Sequence, residues 1–373
     1  MSPMRKVNQS IAAVHNRRMV LNLFRRHGIL SQKVLVELTG LRVSTLSNMV
    51  RGLQARDLLR VVGKKTASTP GKRQVLLGIN PDRGAVLGLS VSQDAVQAAW
   101  CNSAGEILTQ QQIPFTAQSE ELPKALAAVV GELRDEFETP EMPLLGVGVG
   151  STGVIDADAG MILHSIFLGL NHFPLRELLV AELDLPVFVE NDIRCATLAE
   201  LVRREDTEPC NLLYNLVLLV EDPRNHLLNA GVCWCENDRI YRGNTHSAGE
   251  MMADPFSDKF PELVSDDLAL LADEDTSKPL TSSLKITLER LADGLMRLVD
   301  LLDPAEIVLG SNICWANRKA INYLGKQINR QALPIPGRAI KISPALMFCE
   351  GAAFGAALGV IEQLENLLIQ DDE

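Results

Sequence analysis

The sequence predicts an α/β protein made of a small basic winged helix-turn-helix head and a larger two-lobed body. Charge is the first observation behind this. Residues 1–80 carry 15 Lys/Arg against two acids, Glu37 and Asp57, whereas residues 81–373 carry 21 basic and 45 acidic residues. The net charge of −11 therefore divides into +13 on the head and −24 on the remainder, an asymmetry suited to a nucleic-acid-binding head on an acidic body. A basic face that is merely solvated is the plainer reading. The second observation is three short helical patterns followed by two strand-like runs around a basic loop. The third is an order of strands, then alternating helices, that occurs twice in the body. The 373 residues suffice for two or three domains.

In the head, Ile11, Val14, Val20, Leu21, Leu23 and Phe24 follow helical spacing over 8–27, and Gly28 ends the run. Ser31 caps a second helix, Gln32 to Thr39, with Val34, Leu35 and Leu38 inward and Gly40 at the turn. A third helix from Val43 to about Arg56 buries Leu46, Val50 and Leu53. It presents Ser44, Thr45, Ser47, Asn48 and Arg51, groups able to bond base edges and phosphates in a major groove. The runs 58–63 and 74–79 form a hairpin whose loop brings Lys64, Lys65, Lys72 and Arg73 toward phosphates or a minor groove. Two-fold related heads of this kind read an approximately palindromic operator in double-stranded DNA.

From Gly84 onward, antiparallel strands turn at 102–105, and a helix over 120–137 leads to the buried strand 144–150. A helix at 174–183, the strand 186–190 and a helix from Asp192 to Arg204 follow. Strands near 212–220 and 229–236, a helix at 282–302, the strand 306–310 and a last helix at 351–364 complete the pattern. The segment LENLLIQDDE reads as a frayed acidic tail. The resulting division is 1–80, 81–190 and 191–373, with the C-terminal helix returning to the first lobe. Lack of a long uncharged apolar run and of a signal-like start predicts no transmembrane helix or leader. Seven scattered cysteines suit a reducing cytoplasm rather than a disulfide framework.

The order GVGVGSTGVIDADAG, LPVFVENDIRCATLAE, IYRGNTHSAGE, GAAFGAALG resembles the ROK family (repressors, open reading frames, kinases) over nearly the whole chain. The resemblance implies an actin-like ATPase (ribonuclease H-like) body, a sugar or amino-sugar site and a homodimer or homotetramer. It places Asn191 and Asp192 at the family's sugar-binding Asn and catalytic base, and Glu250 at the Glu that holds sugar hydroxyls. The wing reads Gly71-Lys72-Arg73 where the family has Gly-Arg-Pro.

The family's phosphate machinery is altered. Ser90 and Ser92 stand where an Asp-x-Gly turn organises metal and phosphate, Glu221 to Asn225 replace a glycine loop, and the third turn keeps only Gly310. Acids repel a polyanion and Pro223 lacks an N–H, so the sequence predicts no kinase activity and no cofactor, with Asp192 a vestigial base. Ala253 replaces a zinc-ligand His and the family's cysteine cluster is absent. Cys233 and Cys235 share one strand face without further ligands, so no metal is predicted. Phe167 and Leu170, in place of Asn and Trp, imply a more apolar pocket, and His246 reads as a loop histidine. The leading expectation is a repressor whose dead kinase body senses a sugar-like ligand. The alternatives are a ROK sugar kinase with an added head, and a DNA-binding dimer on a ligand-insensitive scaffold.

Overall fold

The computed structural model describes residues 9–65, 74–92, 94–116, 121–204, 210–220, 226–250, 262–347 and 350–370. The head contains α1 (Gln9–His27), β1 (Leu30–Ser31), α2 (Gln32–Thr39), α3 (Val43–Ala55), β2 (Leu59–Lys65) and β3 (Gln74–Ile79). Ser31 caps α2 by accepting from the Val34 N–H, and Gly40 ends it at φ 66°, a left-handed conformation that a Cβ disfavours. The strands form one antiparallel sheet in the order β1-β3-β2; the short β1 escaped the sequence reading because two residues carry no period. Val20, Leu21, Phe24, Leu35, Leu46, Val50 and Leu53 form the head core as the spacing predicts. Leu38, expected inward, is exposed instead, and Met49 takes a core place on α3.

The first lobe has β4 (Ala85–Val91), β5 (Ala95–Asn102), β6 (Ile107–Pro114), α4 (Leu122–Phe137), β7 (Leu144–Ser151), α5 (Leu175–Leu183) and β11 (Val187–Asn191). Its sheet order is β11-β7-β4-β5-β6, antiparallel through β4, β5 and β6 and parallel through β4, β7 and β11. The second lobe has β12 (Leu212–Val220), β13 (His226–Glu236), β14 (Arg239–Ile240), α7 (Ser265–Ala272), α8 (Ser282–Leu302), β15 (Glu306–Ser311), α9 (Arg318–Gln331) and β16 (Lys341–Pro344). Its order is β14-β13-β12-β15-β16, with the same antiparallel and parallel halves. The two lobes are thus one topology used twice, the layout of the actin-like fold.

Three short strands, β8 (Val154–Asp156), β9 (Met161–Ser165) and β10 (Leu170–Phe173), add a small antiparallel sheet to the first lobe. Sequence reading missed it. The usable signal was the Asp156 to Gly160 turn, where Asp156 accepts from the Ala159 N–H and Gly160 takes φ 67°.

Helix α6 (Asp192–Arg203) packs on strands of both lobes, and α10 (Gly351–Gln370) packs on α6 and on the first-lobe sheet. A Cβ added to Gly355 would lie 1.7 Å from the Cys195 carbonyl oxygen, so only glycine lets α10 cross α6 this closely. Gly148 of β7 admits α10 in the same way, with a Cβ there meeting the Ala356 oxygen at 2.0 Å. GVGVG lies in the buried strand expected over 144–150, and it and GAAFGAALG serve close packing. Among the described residues, α10 alone is long and apolar enough to cross a membrane, and most of it is buried against the protein.

The end of α10 corrects two expectations. The helix continues to Gln370 instead of fraying near 364, and Ile369 is a buried member of the head core. The segment 1–80 is therefore not self-contained, because one of its core side chains arrives from the far end of the chain. Polar contacts accompany it. Arg17 donates to the Ile369 carbonyl at 2.9 Å, Arg56 to the Leu368 carbonyl at 2.8 Å, and Arg18 to the Asn366 side chain. Arg25 pairs with Glu365, both nearly fully buried. Burial raises the Glu365 pKa, against the lowering pull of the Arg25 charge. A second tie runs to the other lobe, from Arg26 to Asp238 at 2.8 Å.

Candidate functional site

Parallel strand β11 ends at Asn191, and α6 begins at the next residue. Open α/β folds place ligands outside the carboxyl ends of parallel strands, and Asn191 lies at such an end. The N-cap is Asn191, not Asp192: its Oδ1 accepts from the Arg194 N–H at 3.1 Å. Its Nδ2 donates to the Gly153 carbonyl and to Glu250 Oε1, each at 3.0 Å. The sequence-predicted pair Asn191 and Glu250, 59 residues apart, is thus brought into direct contact. The amide is also fully spent, so a ligand would have to compete with Glu250 for it or use the free carboxylate oxygens.

Asp192 follows at the first helical position, its Oδ1 accepting from the Ile193 N–H at 2.8 Å. Burial pushes its carboxyl up to about 7, helped by the nearby Glu250 charge. Glu250 is itself raised by burial, an effect that the Arg194 charge opposes. Near neutral pH the site can therefore both accept and donate hydrogen bonds, a property suited to several hydroxyls.

A raised acid pKa costs stability once the group ionises. Between about pH 4 and pH 7 the folded chain holds a proton that the unfolded chain has lost, so stability falls as pH rises through that window and levels above it. Asp192→Asn is expected to raise the melting temperature at pH 8 by about 2 °C or more. The gain should shrink toward zero at pH 4; an equal gain at both pH values would refute the assignment.

Sequence reading missed what fixes the Glu250 loop. Glu190 and Arg194, four residues apart, are buried and bonded at 3.2 Å. Arg194 also donates to the carbonyls of His246, at 2.6 Å, and Ala248, at 3.3 Å, while Arg242 pairs with Glu190 at 2.7 Å. The available signal was the Glu–Arg spacing of i, i+4 in a segment otherwise read for Asn191 and Asp192. His246 is a loop residue at φ 59°, with its Nε2 3.8 Å from Asp156. Phe167 is exposed, but Leu170 is buried in the first-lobe core, so it cannot make the cleft more apolar as expected.

At the positions that the resemblance assigns to phosphate binding, Ser92 directs both its N–H and its hydroxyl to the Ala95 carbonyl, at 3.0 and 2.8 Å. The β4–β5 turn is thereby closed on itself. Gly310 makes room for the Tyr214 phenol, whose oxygen would lie 2.2 Å from an added Cβ. Ser311 donates to the Val217 carbonyl at 2.5 Å, and Asn312 brackets the Leu219 backbone at 2.7 and 3.1 Å. This turn latches β12 to β15. Glu221 to Asn225 and Ala253 lie outside the described residues. Cys233 and Cys235 are buried beside Ile193 and Tyr214, and the hydrogen bond with Cys233, together with burial, holds the Cys235 thiol well above its usual range. The described residues contain no group of three or more His, Cys, Asp and Glu placed to hold a metal.

In the head, Ser44, Thr45, Asn48 and Arg51 are exposed along α3, as is Val43 at its start. Ser47 departs from that set. It is half-buried, and its hydroxyl donates to Gln32 of α2 at 3.2 Å, so it fixes the angle between the two helices. Lys64 is exposed at the end of β2, which also includes Lys65. Lys72 and Arg73 lie outside the described residues.

The structure is a winged helix-turn-helix head on a duplicated α/β body, and comparison with known proteins agrees on that fold. Residues 86–217 match the model of the ROK family. It is 22% identical to the xylose repressor of Bacillus spizizenii over 392 residues, covering 97% of this chain and 98% of that protein. A ROK family transcriptional regulator, a homologue of the E. coli MLC protein, superposes with a TM-score of 0.72 at 17% identity, covering 96% of this chain and 98% of that one. The ROK hexokinase from Thermus thermophilus superposes with a TM-score of 0.56 at 21% identity, covering 99% of its own chain but 75% of this one.

Proposed function

We propose that this chain is a ROK-type transcriptional repressor whose head binds double-stranded DNA and whose body senses a sugar-like molecule without phosphorylating it. The observation that carries this reading is end-to-end similarity to repressors, head included, together with an exposed polar and basic face on α3. The ligand binds through Asn191, Asp192 and Glu250, and the body pairs two copies so that the heads meet a near-palindromic operator.

The loss of kinase activity is supported by Ser92 being engaged within its own turn and by the latch at Ser311 and Asn312. Phosphoryl transfer depends on positioning and charge neutralisation at the phosphates, so an isolated Asp192 has nothing to act upon. Coupling to DNA has a physical route. Helix α6 starts in the cleft, α10 crosses it, and α10 ends in the head core. A ligand that prefers one lobe arrangement changes DNA affinity by its differential affinity for the two.

The test uses the full chain, an operator-containing duplex and a panel of pentoses, hexoses and amino sugars. One sugar is expected to raise the melting temperature and shift DNA affinity at least fivefold, with both effects lost in Glu250→Ala. ATP consumption should stay at background throughout. Sugar-dependent ATP turnover abolished by Asp192→Asn would establish the kinase alternative, and a panel without any shift would leave the body a scaffold.

A further inference from the structure

We propose that the second lobe holds an anion site on the outer faces of α8 and α9 that takes a phosphorylated small molecule, independently of the Asn191–Glu250 cleft. The sequence first draws attention to it. Residues 307–349 contain six Lys/Arg and no Asp or Glu, within a body that carries 45 acids against 21 bases. An acid-free stretch of 43 residues in so acidic a segment concentrates positive charge in one place.

The fold places three of those six cations, Arg318, Lys319 and Lys326, around a cavity of about 710 Å³, within the range of small-ligand sites. Lys285, in the first turn of α8, faces Arg318, Lys319 and Lys326 of α9 across it. Arg318, Asn322 and Lys326 recur at i, i+4 and i+8 and so share one helix face. No carboxylate lines the cavity. Among the nearby carboxylates, Asp273 pairs with Lys278 at 2.9 Å, while Glu289 accepts from the Tyr323 hydroxyl and Asp275 from Ser277, and both keep their charge.

One cation has a structural task. Lys319 donates to the carbonyls of Thr276 and Lys278, at 3.3 and 2.8 Å, and so fixes the loop that forms one wall. Lys285, Arg318 and Lys326 make no ion pair among the described residues, although the body offers acids in excess. All three side chains are exposed, so water screens their mutual repulsion and leaves their N–H donors open to an anion. Leu280, Pro279 and the Tyr323 ring give the site an apolar side for a carbon skeleton. Several cations, one side-chain amide and an apolar wall together fit a phosphate monoester on a compact organic body. The cavity takes all its walls from residues 276–326 of the second lobe, so its occupancy does not require the cleft.

The experiment is calorimetric titration of the full chain with glucose 6-phosphate, fructose 1,6-bisphosphate and inorganic pyrophosphate at constant ionic strength, with glucose as the uncharged control. Saturable binding of at least one phosphate compound is expected, at least tenfold weaker in Arg318→Ala/Lys326→Ala and unchanged in Lys341→Ala, a cation of the same stretch outside the cavity. Binding that survives Arg318→Ala/Lys326→Ala places the anion on the basic head and overturns the proposal, as does the absence of saturable binding. Equal loss in Lys341→Ala reduces the effect to general charge and also overturns it. Glu250→Ala should leave this binding intact, so a failure of the sugar site and a failure of this one remain distinguishable.

Discussion

Glu365→Ala is expected to undock or unfold the head and to abolish DNA binding at 37 °C while leaving the body folded. The substitution leaves Arg25 buried without its partner, a loss worth about 3–5 kcal/mol when one member of a buried pair is removed. Both side chains are nearly inaccessible, so solvent cannot substitute for the carboxylate. Ile369→Ala should act in the same direction at about 2–4 kcal/mol, since it opens a cavity in the head core. The informative companion is Arg25→Met with Glu365→Leu. Apolar replacement of both partners removes the charge problem and should restore most of the stability. Thermal unfolding followed by near-ultraviolet and far-ultraviolet signals, with DNA binding in parallel, checks all three variants. Glu365→Ala protein that melts and binds as the parent does would show that α10 merely rests on the head.

The second large effect is expected on α3. Arg51→Ala and Asn48→Ala should each weaken operator binding by about 1–3 kcal/mol and relax base preference at one position per half-site. Lys64→Ala should weaken binding to all sequences and flatten the salt dependence by about one ion, as loss of a phosphate contact does. Ser47→Ala should behave differently from Asn48→Ala, because its hydroxyl is used on Gln32 rather than offered to DNA. It should shift binding to all operators together and leave base preference alone. Binding measured across a set of half-site substitutions separates these patterns, and base-specific loss in Ser47→Ala with none in Asn48→Ala would reverse the roles given to the two residues.

Local signals were sufficient for most of the elements. The caps Ser31 and Gly40 act within one turn of the chain, and the buried residues Leu46, Val50 and Leu53 repeat at helical spacing. The longer strands β7, β11, β12, β13 and β15 likewise follow from apolar runs, whereas the short β8 to β10, β14 and β16 carry too few residues for a pattern. Asn191 and Glu250 were legible as a pair through the motifs around them, while their contact depends on a 59-residue separation closed only by folding. The buried Glu190–Arg194 pair, which the exposed Arg242 joins from outside, escaped notice because both residues are ordinary charged groups until burial removes water from them.

The head–body division written into the charge balance was visible in the sequence by itself, as were the periodic helices and strands and the altered phosphate motifs. Those features depend on residue type, spacing and the hydrogen bonds of neighbouring residues. Only the tertiary structure decided that the last turn of the chain completes the core of the first domain. Nothing in LENLLIQDDE specifies a partner more than 300 residues away, and the segment looks frayed until Ile369 and Glu365 are set against Phe24 and Arg25. Burial energy belongs to pairs of surfaces, and which surfaces meet is settled by where α10 emerges from its crossing with α6.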